Sequence, residues 1–187
     1  MLSRLKDQTQ DTVGDVRRLV YGLRPPALDD LGLLAAVRQQ AEGHGLVVEG
    51  LPADEAVEEG SLFFTLEAPE DLLPLPAAVE VAIYRIVREA LTNVARHAHA
   101  RTCRVRLSVD RAGGVLELEV RDDGVGMSEG RRAGVGLSSM RERAEELGGT
   151  CVVEPDPEGG TRVLARLPLP LTGEEGARTS WSAPSAS

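Results

Sequence analysis

The stretch "DDGVGMSEGRRAGVGLSSM", residues 122–140, contains two separate G-x-G turns. The first pair, Gly124 and Gly126, follows two aspartates at the end of an alternating strand pattern. The second, Gly134 and Gly136, opens a helical pattern that ends at Gly148-Gly149. Glycine lets the backbone turn sharply and approach a ligand without a side chain in the way. Beside the first turn, the Asp122 carboxylate can accept a hydrogen bond from an exocyclic amine. At the second turn, N–H groups converge with the positive end of a helix dipole, a combination suited to phosphate. Arg131 and Arg132 lie on the short link between the turns, where they could close over phosphates. Either pair alone is equally well an ordinary tight turn, so a third element has to decide.

That element is the helix predicted from Leu75-Pro76 to about His97, with proline in its first turn. Val79, Ile83, Ile86, Ala90 and Val94 step by three and four, an amphipathic stripe. Glu89, Asn93 and His97 stack at i, i+4 on one flank of that stripe, with Arg85, Arg88 and Arg96 further round toward water. The amide oxygen of Asn93 is a hard ligand suited to a Mg²⁺ that takes its other ligands from phosphates and water. Glu89, one turn away, can accept a proton. Taken without the glycine turns, a Glu and an Asn on a helix flank are ordinary solvated surface.

The rest of the chain sorts around these elements. Residues 2–23 carry Leu2, Leu5, Val13, Val16, Leu19, Val20 and Leu23 near heptad spacing, and Pro25-Pro26 stops that helix near Arg24. A short helix capped by Asp29 or Asp30 follows, ended by Gly43 and Gly45. Strands are expected at Leu46–Leu51 and Ser61–Glu67. Hairpins are expected at Arg101–Val109 with Val115–Arg121, and at Cys151–Glu154 with Thr161–Leu167. Arg104 and Arg106 are placed to meet Glu117 and Glu119 across the first hairpin. A helix over Val135–Leu147 puts Leu137, Met140, Ala144 and Leu147 on one face, and 172–187 reads as a disordered tail.

Composition sets the bounds. The 187 residues suffice for one domain with a core, and 3% aromatic content makes that core aliphatic. A net charge of −9 argues against nucleic acid as a partner. No apolar run reaches the roughly 18 residues of a membrane span, and the polar start is unlike a secretory signal, so a cytoplasmic location is expected. Cys103 and Cys151 lack metal or redox spacing and read as buried strand residues.

"REALTNVARHA" (88–98), "DDGVGM" (122–127), "GVGLSSMRERAEELGG" (134–149) and "GGTRV" (159–163) resemble, in order, the N, G1, G2 and terminal Gly-Thr boxes of the sensor histidine kinase ATPase domain. That domain belongs to the wider GHKL group with gyrase, Hsp90 and MutL. Upstream, "VRRLVYGLRPPALDDLGLLAAV" (16–37) is similar to the second dimerisation helix and linker of the nitrate-sensor and DesK-like class. The resemblance runs from about Asp15 to Pro170. It implies the Bergerat fold, an α/β two-layer sandwich in which a mixed, mostly antiparallel sheet packs on three helices, here behind an N-terminal helical segment. The corresponding division is 1–24 as a remnant of the second dimerisation helix, 25–45 as linker and short helix, 46–170 as the ATP-binding domain, and 171–187 as tail.

Carried over box by box, the resemblance implies ATP and Mg²⁺ as ligands. Asn93 would bind the metal, Glu89 would act as the base that polarises an acceptor histidine, and Asp122 would bind the adenine amine. Gly124, Gly126, Gly134 and Gly136 would shape the nucleotide loops, and Thr161 would assist near adenine or phosphate. His97 would be structural, and Leu137 and Met140 helix core. One departure matters: the class carries its phosphoacceptor histidine directly before Asp or Glu, whereas His44, His97 and His99 precede Gly, Ala and Ala. The implied acceptor therefore lies outside this chain, on a dimerisation domain of a homodimeric, membrane-attached parent kinase that serves a response regulator. Two other readings share these boxes, a Ser/Thr kinase of the anti-sigma type and a non-catalytic nucleotide-binding module.

Overall fold

The computed structural model describes residues 24–49, 60–70, 72, 74–126 and 135–170. The heptad-like segment at 2–23, Arg131, Arg132, Gly134 and the tail fall outside these residues.

Two short helices come first, α1 (Pro26–Leu31) and α2 (Leu33–Gly43), followed by strands β1 (Val47–Val48) and β2 (Phe63–Glu67). The long helix α3 (Ala77–Asn93) passes directly into a π-helical turn at Val94–Ala98. Strands β3 (Thr102–Asp110) and β4 (Val115–Asp122), helix α4 (Val135–Glu145), and strands β5 (Thr150–Pro155) and β6 (Thr161–Pro168) complete the order. The six strands form one sheet in the order β1-β2-β3-β4-β6-β5. β1, β2 and β3 run parallel, while the β3–β4, β4–β6 and β5–β6 pairs are antiparallel. The expected mixed sheet layered with helices is thus the observed architecture.

Periodicity explains the core. Cys103, Val105 and Leu107 on β3, Leu116, Leu118 and Val120 on β4, and Val163, Ala165 and Leu167 on β6 alternate inward. They meet Val79, Ile83, Ile86, Val87, Ala90 and Leu91 of α3, and Met140 and Ala144 of α4. Leu28 of α1 and Leu33, Ala36, Val37 and Ala41 of α2 are buried in the same core, so residues 25–45 pack with the rest of the body. Both cysteines are buried, as their strand positions predict. Arg88 and Arg96 face water as expected, and Arg85 is half-buried.

Three local expectations are corrected. Asp29 caps no helix: Pro26 already opens α1, and Gly32, at φ 74°, breaks the chain before α2. Asp29 instead pairs with Arg24, whose guanidinium also reaches Glu80 in the first turn of α3 at 2.6 Å. The strand expected over Leu46–Leu51 pairs only at Val47–Val48 among the described residues. On the solvent face of the sheet, Glu119 takes Arg162 and Arg121, Glu117 takes Arg166, and Arg104 takes Glu67. Strand β6, inserted beside β4, supplies the cations that the local hairpin was expected to provide.

Leu118 is fully buried at the centre of the sheet. Leu118→Ala should cost about 2–5 kcal/mol in chemical denaturation, whereas Val152→Ala, on an exposed position of β5, should stay within about 0.5 kcal/mol of the parent.

Candidate functional site

The inward alternation on β4 does not end at Val120. Asp122 is the next residue of the same parity, and it is 8% exposed. The apolar face therefore terminates in a carboxylate, directly opposite Thr161 on β6 and Cys103 on β3. Here the helices and the sheet part to leave a cleft of about 220 Å³. Val120, Val153 and Val163 line its sheet side, Ala90, Val94 and Ala98 its α3 side, and Leu137 and Met140 its α4 side. Asn93, His97, Asp122, Gly126 and Thr161 add the polar and backbone groups.

The paired aspartates have opposite environments. Burial is the largest influence on Asp122 and raises its pKa above the ordinary carboxylate value, against hydrogen bonds from the Gly124 and Thr161 backbones and the Thr161 hydroxyl. The Gly124 N–H donates to Asp122 Oδ1 at 2.9 Å. Asp123 is exposed and turned the other way. Its Oδ1 accepts the N–H groups of Arg101 and Thr102 at 2.7 and 2.9 Å, securing the start of β3. There too burial is the largest single influence and acts upward, but the combined hydrogen bonds from Thr102 and Arg101 outweigh it and leave the pKa lowered. Asp122 thus faces the cleft, while Asp123 is structural. The same desolvation, joined by both aspartates, pushes the Cys103 thiol up to about 12, which leaves it inert.

Backbone contacts hold the rim together. The Val125 N–H donates to the Ala98 carbonyl at 2.8 Å, tying the turn after β4 to the end of the π segment. Gly124 is required there, because a Cβ would strike that same carbonyl. The helix on this side winds in α geometry to Asn93 and in π geometry from Val94 to Ala98, and His99 turns left-handed at φ 50°. An uninterrupted α-helix to His97 was expected. The π turn, a form that clusters at functional sites, changes the stagger of His97 relative to Asn93. His97 is exposed at the cleft mouth, while Asn93 is half-buried.

Glu89 is brought to a different neighbour. Its Oε1 occupies the place where a Cβ at Gly136 would stand. The carboxylate therefore lies against the first turn of α4, next to the cleft, at the helix end that favours negative charge. Asn93, Asp122, Gly126 and Thr161 line the one cleft, Gly124 supports it from behind, and Glu89 and Gly136 meet at its side. Gly134 is outside the described residues. Leu137 and Met140, expected as helix core, line the cleft as well; Met140 is also fully buried.

Within the terminal Gly-Thr box, Gly160 has a role that the resemblance does not assign. Gly160, at φ 86°, passes so close to the Asp122 carbonyl and the Gly124 nitrogen that no side chain fits. The doubled glycine before Thr161 was the available signal.

Residues 78–171 match the family described as histidine kinase-, DNA gyrase B-, and HSP90-like ATPase. The chain is 29% identical over 175 residues to the signal transduction histidine-protein kinase/phosphatase DegS of Brevibacillus brevis, which covers 91% of this chain and 41% of that protein. It is 34% identical over 161 residues to the sensor histidine kinase NarS of Mycobacterium tuberculosis, covering 82% and 33%. It thus spans less than half the length of these relatives. Among solved structures, a blue-light activated histidine kinase of Erythrobacter litoralis shares the fold at a TM-score of 0.57 and 24% identity, covering 72% of this chain and 40% of that one. With Asn93, Asp122, Gly126 and Thr161 lining one cleft and the family match spanning half its length, the chain belongs to the histidine kinase-, DNA gyrase B- and HSP90-like ATPases.

Proposed function

We propose that the cleft binds ATP as its Mg²⁺ complex and that the chain transfers the γ-phosphate to a histidine outside these residues, on the dimerisation domain of a sensor kinase. The observation that carries this reading is Asp122, a buried acceptor in a cleft whose lining is mainly aliphatic. Such a pocket suits a flat base that presents an amine: the valines, Leu137 and Met140 cover its faces and Asp122 reads its edge. Guanine offers a carbonyl where adenine offers that amine and would meet the carboxylate as a second acceptor. Gly126 and Thr161 would border the base, and the phosphates would lie toward Asn93. A response regulator is the proposed acceptor after the histidine.

The donor set fits magnesium. Among the described residues no group of three or more His, Cys, Asp or Glu could hold a metal by itself. Asn93 offers one amide oxygen at the cleft, so the ion would draw its remaining ligands from phosphates and water. Bound there, it would neutralise charge on the phosphates. The role proposed for Glu89 is to take or polarise the proton of the incoming imidazole. Its seat against Gly136 couples that role to the position of α4.

Mg-ATP or Mg-ADP at a hundredfold excess over its dissociation constant should stabilise the chain by about 2.7 kcal/mol, a rise in Tm of about 5–11 °C. A melting curve indifferent to both nucleotides at millimolar concentration would overturn the reading. Given a dimerisation hairpin from the parent kinase, the chain should place acid-labile phosphate on its histidine, and Glu89→Gln should slow transfer about 10²-fold with nucleotide affinity little changed. Acid-stable label on a serine would instead identify a Ser/Thr kinase.

Asp122→Asn separates binding from stability. Asparagine has one acceptor oxygen, already engaged by the Gly124 N–H, and would turn its own NH2 toward the base. Loss of the charged acceptor should weaken ATP by about 1.5–3 kcal/mol in titration calorimetry. Because the folded-state pKa of Asp122 is raised, the stability it contributes is present below the unfolded value and lost as pH rises through the folded one. The nucleotide-free variant should therefore gain in Tm relative to the parent as pH rises from about 4, near the unfolded value, toward neutrality. A Tm of the variant that falls relative to that of the parent over that range would contradict the assigned environment.

A further inference from the structure

Helix α4 presents Gly136, Met140 and Ala144 at i, i+4 and i+8, along one face. Met140 and Ala144 are fully buried in the core, and Gly136 stands one turn ahead of them, in the first turn of α4. Its backbone gives no reason for a glycine. Unlike Gly126 at φ 72° and Gly160 at φ 86°, Gly136 does not lie in the left-handed region, and glycine is a poor residue within a helix. The reason lies across the interface with α3. The three atoms nearest to where a Cβ would stand on Gly136 all belong to Glu89: Oε1, which overlaps that place, the carboxyl carbon at 2.8 Å and Cγ at 3.4 Å. The space that α4 would fill with its own side chain is filled by the Glu89 carboxylate.

We propose that Gly136 is a positioning residue for phosphoryl transfer: its lack of a side chain leaves the seat that holds the Glu89 carboxylate, and this clearance, rather than room for the nucleotide, is why the position is glycine. The inference rests on the role proposed above for Glu89. Gly136 touches no reacting atom in this account and acts only through Glu89. A glutamate has several side-chain torsions, and confining it to one arrangement takes a wall at its far end. The first turn of α4 is that wall. A methyl group at position 136 would overlap the carboxylate, and the overlapped oxygen is the free end of a flexible side chain. The carboxylate therefore gives way, while the helices stay packed through Ile86, Ala90, Met140 and Ala144. Displacing a reacting group by about 1 Å can cost about 10²-fold in rate.

The test compares Gly136→Ala, Glu89→Gln, Glu89→Asp and the two double variants that add Gly136→Ala to each Glu89 change, in the 187-residue chain with the dimerisation hairpin supplied for transfer. Gly136→Ala should slow transfer to the histidine about 10²-fold at saturating Mg-ATP, with Mg-ADP affinity little changed and a Tm no lower than the parent's, since alanine suits a helix better. Added to Glu89→Gln it should slow transfer no further. Added to Glu89→Asp, which draws the carboxylate back by one methylene, it should again cost nothing more. Without nucleotide or hairpin, the carboxyl ¹³C resonance of Glu89, identified by its absence from Glu89→Gln, should move in Gly136→Ala. A Gly136→Ala chain that loses Mg-ADP affinity but transfers at the parental rate once saturated makes Gly136 a nucleotide-loop residue and overturns the proposal. A lowered Tm, multiplicative slowing in the double variants, or an unmoved resonance overturns it as well. If Glu89→Gln itself transfers like the parent, the role of Glu89 falls and this inference with it, whereas a slow Glu89→Gln beside a fast Gly136→Ala refutes the inference alone.

Discussion

Asp122 occupies a position that the alternation of β4 reserves for the core, and the surrounding structure accommodates a carboxylate there. A buried carboxylate has to be hydrogen-bonded, since an unpaired one costs far more than a neutral polar group. The donors come from the turn that follows it and from Thr161 on the neighbouring strand. Bringing them in requires the backbone of Gly160 to pass against the Asp122 carbonyl, and Gly124 to lie against Ala98. Three segments far apart in sequence, the end of the long helix, the turn after β4 and the turn before β6, are thereby locked around one side chain. The core cannot close over such a group, so the helices part from the sheet at this point and leave the cleft.

The helix layer meets this constraint from the other side. Val94 and Ala98 are buried and also line the cleft, so the same π turn serves the core and the site. With α2 packed along α3 and Arg24 anchored to Glu80, that helix is held at its first turn, along its apolar stripe and at its last turn. Glu89 and Asn93 sit beside the buried Ala90, Leu91 and Val94 of that helix. A site set on a packed helix keeps its geometry better than one set on a loop.

Much of this is legible in the sequence, because it rests on local patterns. The apolar stripe of α3, the alternation of β3, β4 and β6, and the paired glycine turns are each visible within about ten residues, the range over which periodicity operates. The inward parity of Asp122 was legible too, since it continues the count from Leu116, Leu118 and Val120. Other features depend on sheet order and had no local signal. Glu117 and Glu119 pair with cations of β6 because β6 returns beside β4, and a hairpin-level reading assigns them to β3. The preference of proline for the first helical position outweighed the capping preference of aspartate at Asp29. The π turn had no signature of its own, as Val-Ala-Arg-His-Ala suits an α-helix equally well. The meeting of Glu89 with Gly136 needs two helices to be placed in space, which a reading of each helix alone cannot do.

The two neighbouring aspartates show why burial and recognition belong together. Asp123, in water, uses its charge on two backbone N–H groups and holds β3 in place. Had Asp122 been equally solvated, a hydrogen bond to a ligand amine would only have exchanged one with water, for a net gain of about 1 kcal/mol. Behind β4 much of that hydration has already been lost during folding, a cost registered in its raised pKa. An arriving donor would then meet an acceptor in a low-dielectric surrounding, where the bond is stronger and a mismatched base would place a second acceptor against the carboxylate. On the proposed reading, the burial that raises the Asp122 pKa is also what would make the carboxylate discriminate between bases, so one environment accounts for both.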